Sequence, residues 1–576
     1  MNFAASPVLT LRLPVWRSRL LLLGFFAGFA VLAGRAVFLQ GWNNSFLQAK
    51  GESRYSRVIE ISANRGRILD RHGEALAIST PVKSIWAIPG DFELDQEQLG
   101  KLSALLEMPP QDIEKRIADS SRDFVFIKRQ IPPEAADRVA ELRIPGLFQN
   151  REFRRYYPGG DVMAHVLGFT GAEDAGQEGV ELAFQQQLAG KPGSRRVIKD
   201  RKGQIIEDME SIKAAQEGRD LVLALDSRIQ NLAFGALKSA VEMHRAKAGG
   251  IVVLDVATGE MLALANYPTY NPNNRAQLSG GSLRNRVVTD TFEPGSTLKP
   301  FTVATAMEEG KVRADTLIQT APGTLTIGKA TIHDAHAEGL ITVAQVIQKS
   351  SNVGAAKIAL GLPAETLWGT FRAVGFGLPP KLGFPGEAPG RVRPAKTWRP
   401  IEQATMSYGH GISVSLVQLA RAYTIFARDG DLIPISLVKV DTPPSAQNVI
   451  SAQTARALRA MLESAVHPGG TAPRAQIMGY RVAGKTGTAH KQENGGYAAK
   501  KYMSSFVGFA PVSNPRLVIA VMIDETTDGQ YYGGVVAAPV FAKVMEGALR
   551  TLGTPPDAPM KPIVLPAAGE ELKDSV

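Results

Sequence analysis

The feature that most limits the fold of this chain is one apolar run near its start. Residues 20–39 read LLLLGFFAGFAVLAGRAVFL and contain a single charge, Arg35. About 20 apolar residues span a bilayer as one helix. Arg12, Arg17 and Arg19 precede the run, and the positive-inside rule keeps such a flank in the cytoplasm. The sequence therefore predicts a cytoplasmic tail at 1–19 and a single-pass anchor at 20–39.

A cleaved signal peptide is the alternative interpretation of the same run. Its apolar core would be residues 20–34, at the upper end of the normal length. No A-x-A cleavage site lies between Leu20 and Trp42, which favours an uncleaved anchor. No second run approaches this length, so we expect one crossing and a large exported part.

Composition excludes several functional classes. The chain has no Cys, which rules out thiol catalysis, disulfides and cysteine-based zinc sites. A net charge of +10 over 576 residues is a weak indication of nucleic-acid binding and fits a membrane or cell wall equally well. With 44% hydrophobic and 21% charged residues, the chain is neither a disordered polymer nor a polytopic membrane protein.

The exported part changes character near residue 220. Before that point, RVIEIS (57–62) and SIWAIPG (84–90) predict strands, and residues 95–106 and 133–142 predict helices. After it, the pattern predicts a strand at 220–226, a helix at 227–245, a hairpin at 249–266, a buried strand at 514–524 and a helix at 537–549. We expect an α/β (α+β) chain with a mixed module at 45–220, a second domain at 221–550 and a loose Pro-rich tail at 551–576.

One short motif could supply a nucleophile. Ser296-Thr-Leu-Lys299 follows Pro294-Gly295, a helix-start signal, so Ser296 and Lys299 should share a helix face. A neutral Lys beside a Ser hydroxyl could take its proton. A second copy, Ser436-Leu-Val-Lys439, lies in the alternating segment IPISLVKV; there a strand would point its Ser and Lys to opposite faces, so we interpret it as a decoy.

Two further motifs follow in a fixed order. The first is Ser350-Ser351-Asn352, and the second is Lys485-Thr486-Gly487-Thr488. S-x-N also occurs at Ser62-Ala63-Asn64, whereas K-[ST]-G occurs once. Only Ser296, Ser350 and Lys485 give the order S-x-x-K, S-x-N, K-T-G with domain-scale gaps, and the ordered triple indicates a functional site where each motif alone would not.

The triple resembles the signature of the serine penicillin-recognising enzymes. Other segments are similar to class B penicillin-binding proteins of the septal, cell-division type: RGRILDRHGEALA (65–77), YYPGGDVMAHVLGF (156–169), GQEGVELAFQQQLAG (176–190), KSSNVG (349–354), SYGHGISVSLVQLARAY (407–423) and YYGGVVAAPVF (531–541). The resemblance implies a non-catalytic pedestal at 45–220. It also implies a transpeptidase domain at 221–550 with a central antiparallel sheet flanked by helices.

The resemblance also implies an activity: a peptidoglycan D,D-transpeptidase that cross-links stem peptides of the septal wall through a serine acyl-enzyme and is inhibited by β-lactams. Ser296 would be the nucleophile and Lys299 its base, kept neutral by a nearby cation such as Lys485. Ser350 would relay a proton, and Asn352 would hold Lys299 and the donor amide.

The K-T-G-T stretch would bind the substrate. Thr486, Gly487 and Thr488 would line the substrate and β-lactam site, with the two hydroxyls on the donor's terminal carboxylate and Lys485 supplying charge. The backbone N–H groups of Ser296 and Thr488 would form the oxyanion hole. This chemistry requires no metal or cofactor. His333 and His336 look like metal ligands, but a pair in a loop is usually solvated, and His410 is interpreted as structural or as part of the site's rim.

By the same resemblance, the partners are stem peptides, β-lactams, a lipid II polymerase of the FtsW type and other division proteins of the membrane, but no nucleic acid. The implied location is the inner membrane, with the catalytic domain in the periplasm. An elongation-type class B transpeptidase and a non-enzymatic penicillin-binding scaffold of the division machinery remain alternatives. A β-lactamase is disfavoured because no E-x-x-L-N element is found, and a D,D-carboxypeptidase because it would lack the pedestal motifs.

Overall fold

A computed structural model describes residues 14–42, 56–122, 124–199, 205–274, 276, 278, 280–493, 496–563 and 565. The N-terminal helix α1 (Val15–Val37) begins directly after Pro14 and continues as a π-helical turn, Phe38–Trp42. The stretch Val15–Gly41 is long and apolar enough to cross a membrane, and none of it is buried against other parts of the protein. The helix starts before the predicted residue 20 because Arg17 and Arg19, good helix formers, extend it.

The chain clusters into two compact units, neither of them continuous in sequence. The first comprises Met1–Ala63, Pro81–Glu152 and Lys191–Gln216, and the second Asn64–Thr80, Phe153–Gly190 and Glu217–Val576. The strands are β1 Ser56–Ile61, β2 Ile68–Leu69, β3 Ala75–Ala87, β4 Val125–Ile131, β5 Leu147–Tyr156, β6 Gly193–Lys199, β7 Ile205–Lys213, β8 Leu221–Val222, β9 Ala248–Asp255, β10 Met261–Tyr267, β11 Leu317–Gln319, β12 Thr324–Ile327, β13 Ala330–His333, β14 Leu340–Thr342, β15 Asp431–Leu432, β16 Gln447–Asn448, β17 Ala483–Glu493, β18 Gly496–Ala510 and β19 Leu517–Asp524.

The α-helices after α1 are α2 Gln96–Leu106, α3 Pro110–Ile117, α4 Pro133–Glu141, α5 Ala164–Leu167, α6 Gly179–Ala183, α7 Gln185–Leu188, α8 Ser227–Met243, α9 Arg286–Thr289, α10 Lys299–Glu308, α11 Val343–Gln348, α12 Asn352–Leu360, α13 Ala364–Ala373, α14 Pro400–Met406, α15 Leu416–Ala427, α16 Ala452–Ser464, α17 Gly533–Val536 and α18 Ala538–Thr551.

The first unit contains an antiparallel sheet of order β1-β6-β7 and a small helical core. Helix α2 begins at a capping box in which Asp95 accepts from the Gln98 backbone N–H, so the helix predicted at 95–106 is confirmed. Leu99, Leu102 and Leu106 repeat at helical spacing, and all are buried against α3, α4 and β4.

The second unit is built on a five-stranded antiparallel sheet of order β10-β9-β19-β18-β17. The predicted hairpin is confirmed as β9 and β10, and the predicted strand at 514–524 as β19. Alternate residues of β9 belong to different cores: Val252 and Leu254 to the one that includes α10 and α15, and Ile251 and Val253 to the one that includes α8 and α18. Helices therefore cover both sheet faces, which is why the strands are continuously apolar.

The strand predicted at 220–226 is reduced to β8, which pairs in parallel with β2 rather than joining the central sheet. The alternating leucines after β8, Leu223 and Leu225, are buried in the core without forming part of a regular strand. Asp226 is the N-cap of α8, and its carboxylate accepts from the backbone N–H groups of Arg228 and Ile229. A capping Asp ends extended structure because its side chain satisfies the first amides of the helix.

A buried ion cluster joins parts of the predicted pedestal module that fall in the second unit. Glu181 accepts from Arg65 Nε and from Arg155 Nε, each at 2.7 Å. All three side chains are almost fully buried. A buried carboxylate held by two guanidinium groups fixes the segments that carry them, since removing one partner leaves an uncompensated charge.

The segment predicted as a loose tail is attached to the second unit at its start. Helix α18 extends to Thr551, and Tyr480 Oη donates to the Thr554 carbonyl at 2.7 Å. The Asp557 carboxylate accepts from the backbone N–H groups of Arg481 and Ser513. These bonds hold residues 554–557, whatever their proline content, and residues 566–576 lie outside the described part of the chain.

Candidate active site

The first motif spans a junction between two helix types. Residues Gly295–Leu298 form a 3₁₀ turn, and α10 begins at Lys299. Lys299 Nζ donates to Ser296 Oγ at 2.9 Å. In a 3₁₀ turn residues i and i+3 are eclipsed, which brings the two side chains together as directly as the predicted α-helix would.

Lys299 also contacts the second motif. Its Nζ donates to Ser350 Oγ at 3.0 Å and to the Ser350 carbonyl. Ser296, Lys299 and Ser350 are almost completely buried. Ser350 has φ +61°, a left-handed conformation that is strained for serine. The structure thus joins Ser296, Lys299 and Ser350 through one amine, with Ser350 held in an uncommon backbone conformation.

A carboxylate anchors the residues around Ser350. Asp334 accepts from Ser351 Oγ at 2.7 Å and from the Val353 backbone N–H at 2.9 Å. Asn352 Nδ2 donates to the His333 carbonyl at 3.1 Å, while its buried Oδ1 has no hydrogen-bond partner. An unsatisfied buried acceptor requires an explanation, and a ligand N–H is one.

The third motif lies on β17, an edge strand of the central sheet. Lys485 Nζ donates to Thr486 Oγ1 at 2.9 Å, and Thr486 Oγ1 shares a 2.8 Å hydrogen bond with Thr471 Oγ1. Thr488 Oγ1 accepts from the Gly533 backbone N–H at 3.1 Å. The edge of a sheet presents backbone groups to which an extended peptide can add as a further strand.

Glycines allow three backbone segments to meet at the turn that carries Ser296. A Cβ at Gly487 would lie 2.7 Å from the Pro294 carbonyl oxygen. A Cβ at Gly409, which has φ +91°, would lie 2.2 Å from the Gly295 carbonyl oxygen. Side chains at these positions would separate β17 and the 407–411 turn from the turn that carries Ser296.

The second S-x-x-K copy forms no comparable pair. Ser436 and Val438 take part only in isolated β-bridges, so the predicted strand is not a regular one. Ser436 Oγ donates to the Val438 carbonyl, and Lys439 Nζ donates to the Arg71 carbonyl. The two side chains are thus engaged separately.

Histidines lie at the edge of the site. Burial lowers the pKa of His410 to about 4, so its imidazole is neutral at pH 7. The His410 ring lies 5.1 Å from that of Tyr408 and 5.9 Å from that of Tyr497. Among the described residues, no group of three or more His, Asp or Glu side chains is placed to hold a metal ion.

Several residues around the site were not singled out by sequence reasoning. Thr471 contacts the K-T-G motif from a separate loop, and Tyr423 Oη donates to the Thr297 carbonyl at 2.7 Å. Asp334 lies in the H-D-A-H segment, which sequence analysis considered only for metal binding. The only signal in the sequence was that Asp334 precedes the S-x-N motif by 16 residues. Its position along the chain does not show that its carboxylate binds Ser351 and Val353.

Two family models match this chain. The one described as "Penicillin binding protein transpeptidase domain" matches residues 249–546, and the one described as "Penicillin-binding Protein dimerisation domain" matches residues 60–223. The chain is 42% identical over 536 residues to "Probable peptidoglycan D,D-transpeptidase PenA" of Neisseria gonorrhoeae, which covers 92% of each chain. It is 41% identical over 550 residues to "Peptidoglycan D,D-transpeptidase FtsI" of Escherichia coli K12, which covers 94% of this chain and 93% of that one.

A solved structure is also similar. The apo TP domain of penicillin-binding protein 3 from Burkholderia pseudomallei is 51% identical, with a TM-score of 0.55. The match covers 58% of this chain and 98% of that domain.

Proposed function

Since the chain belongs to the penicillin-binding protein transpeptidase family, we propose that it is a peptidoglycan D,D-transpeptidase of the septal type that acts through an acyl-enzyme on Ser296. The observation that carries the proposal is the single amine of Lys299, which is within hydrogen-bond distance of both Ser296 Oγ and Ser350 Oγ. This arrangement supports proton transfer from the nucleophile and onward to a leaving group.

In the acylation step, neutral Lys299 takes the Ser296 hydroxyl proton while Oγ attacks the carbonyl carbon of the penultimate D-Ala. The oxyanion is bound by the N–H groups of Ser296 and Thr488. Ser296 lies in the first turn of a 3₁₀ helix, where backbone amides have no partner within the helix. Each oxyanion donor is typically worth roughly 3 kcal/mol of transition-state stabilisation.

The tetrahedral intermediate then collapses. The bond to the terminal D-Ala breaks, and its nitrogen takes a proton that Ser350 relays from Lys299. An amine of a second stem peptide attacks the ester, its proton returns through the same residues, and Ser296 is released with a new amide cross-link. A β-lactam follows the first step only, because its leaving nitrogen stays tethered, and the ester persists.

The donor peptide is held as an added strand along β17. Its terminal carboxylate lies against the Thr486 and Thr488 hydroxyls, near the charge of Lys485. The free Oδ1 of Asn352 accepts from a donor amide N–H, which satisfies the buried acceptor. Gly487 keeps β17 close to the nucleophile turn.

The helix α1 anchors the protein in the cytoplasmic membrane, with the N-terminus inside and the catalytic unit in the periplasm. The basic residues before the apolar run support this orientation. A protein of this kind needs a glycan polymerase beside it. We infer a lipid II polymerase of the FtsW type and other division proteins of the membrane as partners.

The test is the intact mass of the full-length protein in detergent after exposure to excess benzylpenicillin. Wild type should gain the mass of one whole drug molecule, and Ser296→Ala should gain none. The matched control is Ser436→Ala, which alters the second S-x-x-K copy and should be acylated like wild type.

Other outcomes would contradict the proposal. Wild type that gains no mass while the drug stays intact would indicate a penicillin-binding scaffold with a vestigial site. Wild type that gains no mass while the drug is hydrolysed would indicate a β-lactamase.

A second assay separates a transpeptidase from a carboxypeptidase. A transpeptidase should cross-link two synthetic stem peptides, and Ser296→Ala should not.

A further inference from the structure

The Glu293 carboxylate, three residues before Ser296, accepts hydrogen bonds from three donors in two segments, the 407–411 turn and the β17–β18 hairpin. The Gly411 backbone N–H donates to Oε1 at 2.8 Å, and Gln492 Nε2 donates to the same oxygen at 2.7 Å. Tyr497 Oη donates to Oε2 at 3.1 Å. Glu293 is only 9% exposed.

The three donors belong to the parts of the fold that surround the nucleophile. Gly411 ends the 407–411 turn, Gln492 lies near the end of β17, and Tyr497 lies at the start of β18. The β17–β18 hairpin carries the K-T-G motif at its other end. Phe292 and Val414 already join the nucleophile turn to the segment after residue 411 by two backbone hydrogen bonds, so the distinctive contribution of Glu293 is its link to the hairpin.

The carboxylate is held by neutral donors. Within the described part of the chain, no ion pair to Glu293 is found among the salt bridges. Burial raises the pKa of Glu293, and the three hydrogen bonds oppose that rise. Burying a carboxylate is costly unless it is hydrogen-bonded. Its three donors come from two segments that are distant in sequence, so Glu293 links the 407–411 turn and the β17–β18 hairpin to the turn that carries Ser296.

We propose that Glu293 is a positioning residue, which fastens the outer end of the β17–β18 hairpin to the nucleophile turn and so aligns Ser296 with the edge strand that receives the donor. The inference rests on the proposed acyl transfer at Ser296. Glu293 acts through the separation between Ser296 and Thr488, where contacts at Gly295 and Gly487 leave little room for adjustment.

The experiment measures acylation of the full-length protein by a fluorescent penicillin in a stopped-flow instrument, which separates the dissociation constant of the first complex from the first-order acylation rate. Glu293→Gln keeps the shape but cannot accept from all three donors, and Tyr497→Phe removes one donor. We expect Glu293→Gln to lower the acylation rate roughly 10- to 100-fold, because misplacement of about 1 Å costs that much. Tyr497→Phe should have a smaller effect in the same direction.

The two changes should be non-additive in the double variant, since they break one network. The initial dissociation constant should stay within about twofold of wild type, as expected when an interaction acts in the transition state rather than in ground-state binding. The matched control is Tyr267→Phe. Its hydroxyl donates to Glu242 at 2.7 Å, so the same type of bond is lost without contact to the site.

Equal acylation rates in wild type, Glu293→Gln and Tyr497→Phe would overturn the inference while leaving the proposed function intact. So would a change confined to the dissociation constant, which would make Glu293 a binding residue. A Glu293→Gln protein that fails to fold leaves the decision to Tyr497→Phe, whose hydroxyl belongs to a side chain that is 52% exposed. Absence of acylation in wild type would overturn both the proposed function and this inference.

Discussion

Asp334 offers a sharp test of how the second motif is held. Its carboxylate accepts hydrogen bonds from Ser351 and Val353, the residues on either side of Asn352. Ser350, directly before Ser351, has φ +61°. The change Asp334→Ala removes both bonds. Ser350 can then leave the left-handed region and turn its two oxygens away from Lys299 Nζ.

The expected magnitude follows from the backbone strain. A left-handed conformation costs a non-glycine residue about 1–2 kcal/mol. Two hydrogen bonds to a carboxylate, each worth about 1.5–3 kcal/mol, are sufficient to hold it. Without them, the competent arrangement lies about 1–2 kcal/mol above the relaxed one, which lowers the acylation rate roughly 5- to 30-fold. Asp334→Asn keeps an acceptor for one donor and should lose less than Asp334→Ala.

The assay is the rate of acylation by a fluorescent penicillin, with thermal unfolding recorded for each variant. Glu308→Ala is the matched control, because Glu308 likewise accepts from a helix-capping serine, Ser451, through Oγ at 2.7 Å and the backbone N–H at 3.1 Å. It should cost similar stability without slowing acylation. Asp334→Ala acylating within twofold of wild type, or Glu308→Ala slowing acylation equally, would refute the reasoning.

Three further predictions concern stability and close packing. Glu181→Leu leaves the buried Arg65 and Arg155 without their shared carboxylate and should lower the free energy of unfolding, measured by denaturant titration, by about 3–5 kcal/mol. The control Glu97→Leu breaks the exposed pair with Lys101 and should show no measurable loss in the same titration. Gly409→Ala places a Cβ 2.2 Å from the Gly295 carbonyl oxygen and should slow acylation at least about tenfold, whereas Gly411→Ala, at φ +80° with its nearest neighbour atom at 3.8 Å, should slow it less in the same assay. Burial lowers the pKa of His165 to about 4, against about 6.5 in an unfolded chain. As the pH falls, the unfolded chain therefore binds the proton first, and the free energy of unfolding decreases between pH 6.5 and 4 by on the order of 1 kcal/mol per pH unit. Urea unfolding of His165→Gln should show a shallower pH dependence than that of wild type.

Local patterns were sufficient for much of the fold. The hairpin of β9 and β10 and the helix α2 follow from periodicity and capping residues, which act over a few positions. The pattern failed at 220–226, where alternating leucines indicated a strand. Leu223 and Leu225 are buried in the core, although they lie beyond β8 in the segment that leads to α8. An alternating pattern indicates which residues are buried, and it does not show that they belong to a regular strand.

The candidate site divides in the same way. Ser296, Ser350 and Lys485 could be selected because the order of three motifs is a property of the sequence. The supporting residues could not: Glu293 and Gln492 are 199 positions apart, and Thr471 reaches Thr486 from a different loop. Nothing in the local sequence of such a residue states which partner it will meet.

The sequence by itself determined the apolar N-terminal helix, the order of the three site motifs and most of the strands and helices, because each depends on residues that are neighbours along the chain. Only the tertiary structure decided that one amine joins two serines, that Ser350 adopts a left-handed conformation, and that Asp334 and Glu293 hold the surrounding segments. Hydrogen bonds and steric contacts act over a few ångströms in space. Their partners are therefore known only once distant segments have packed together.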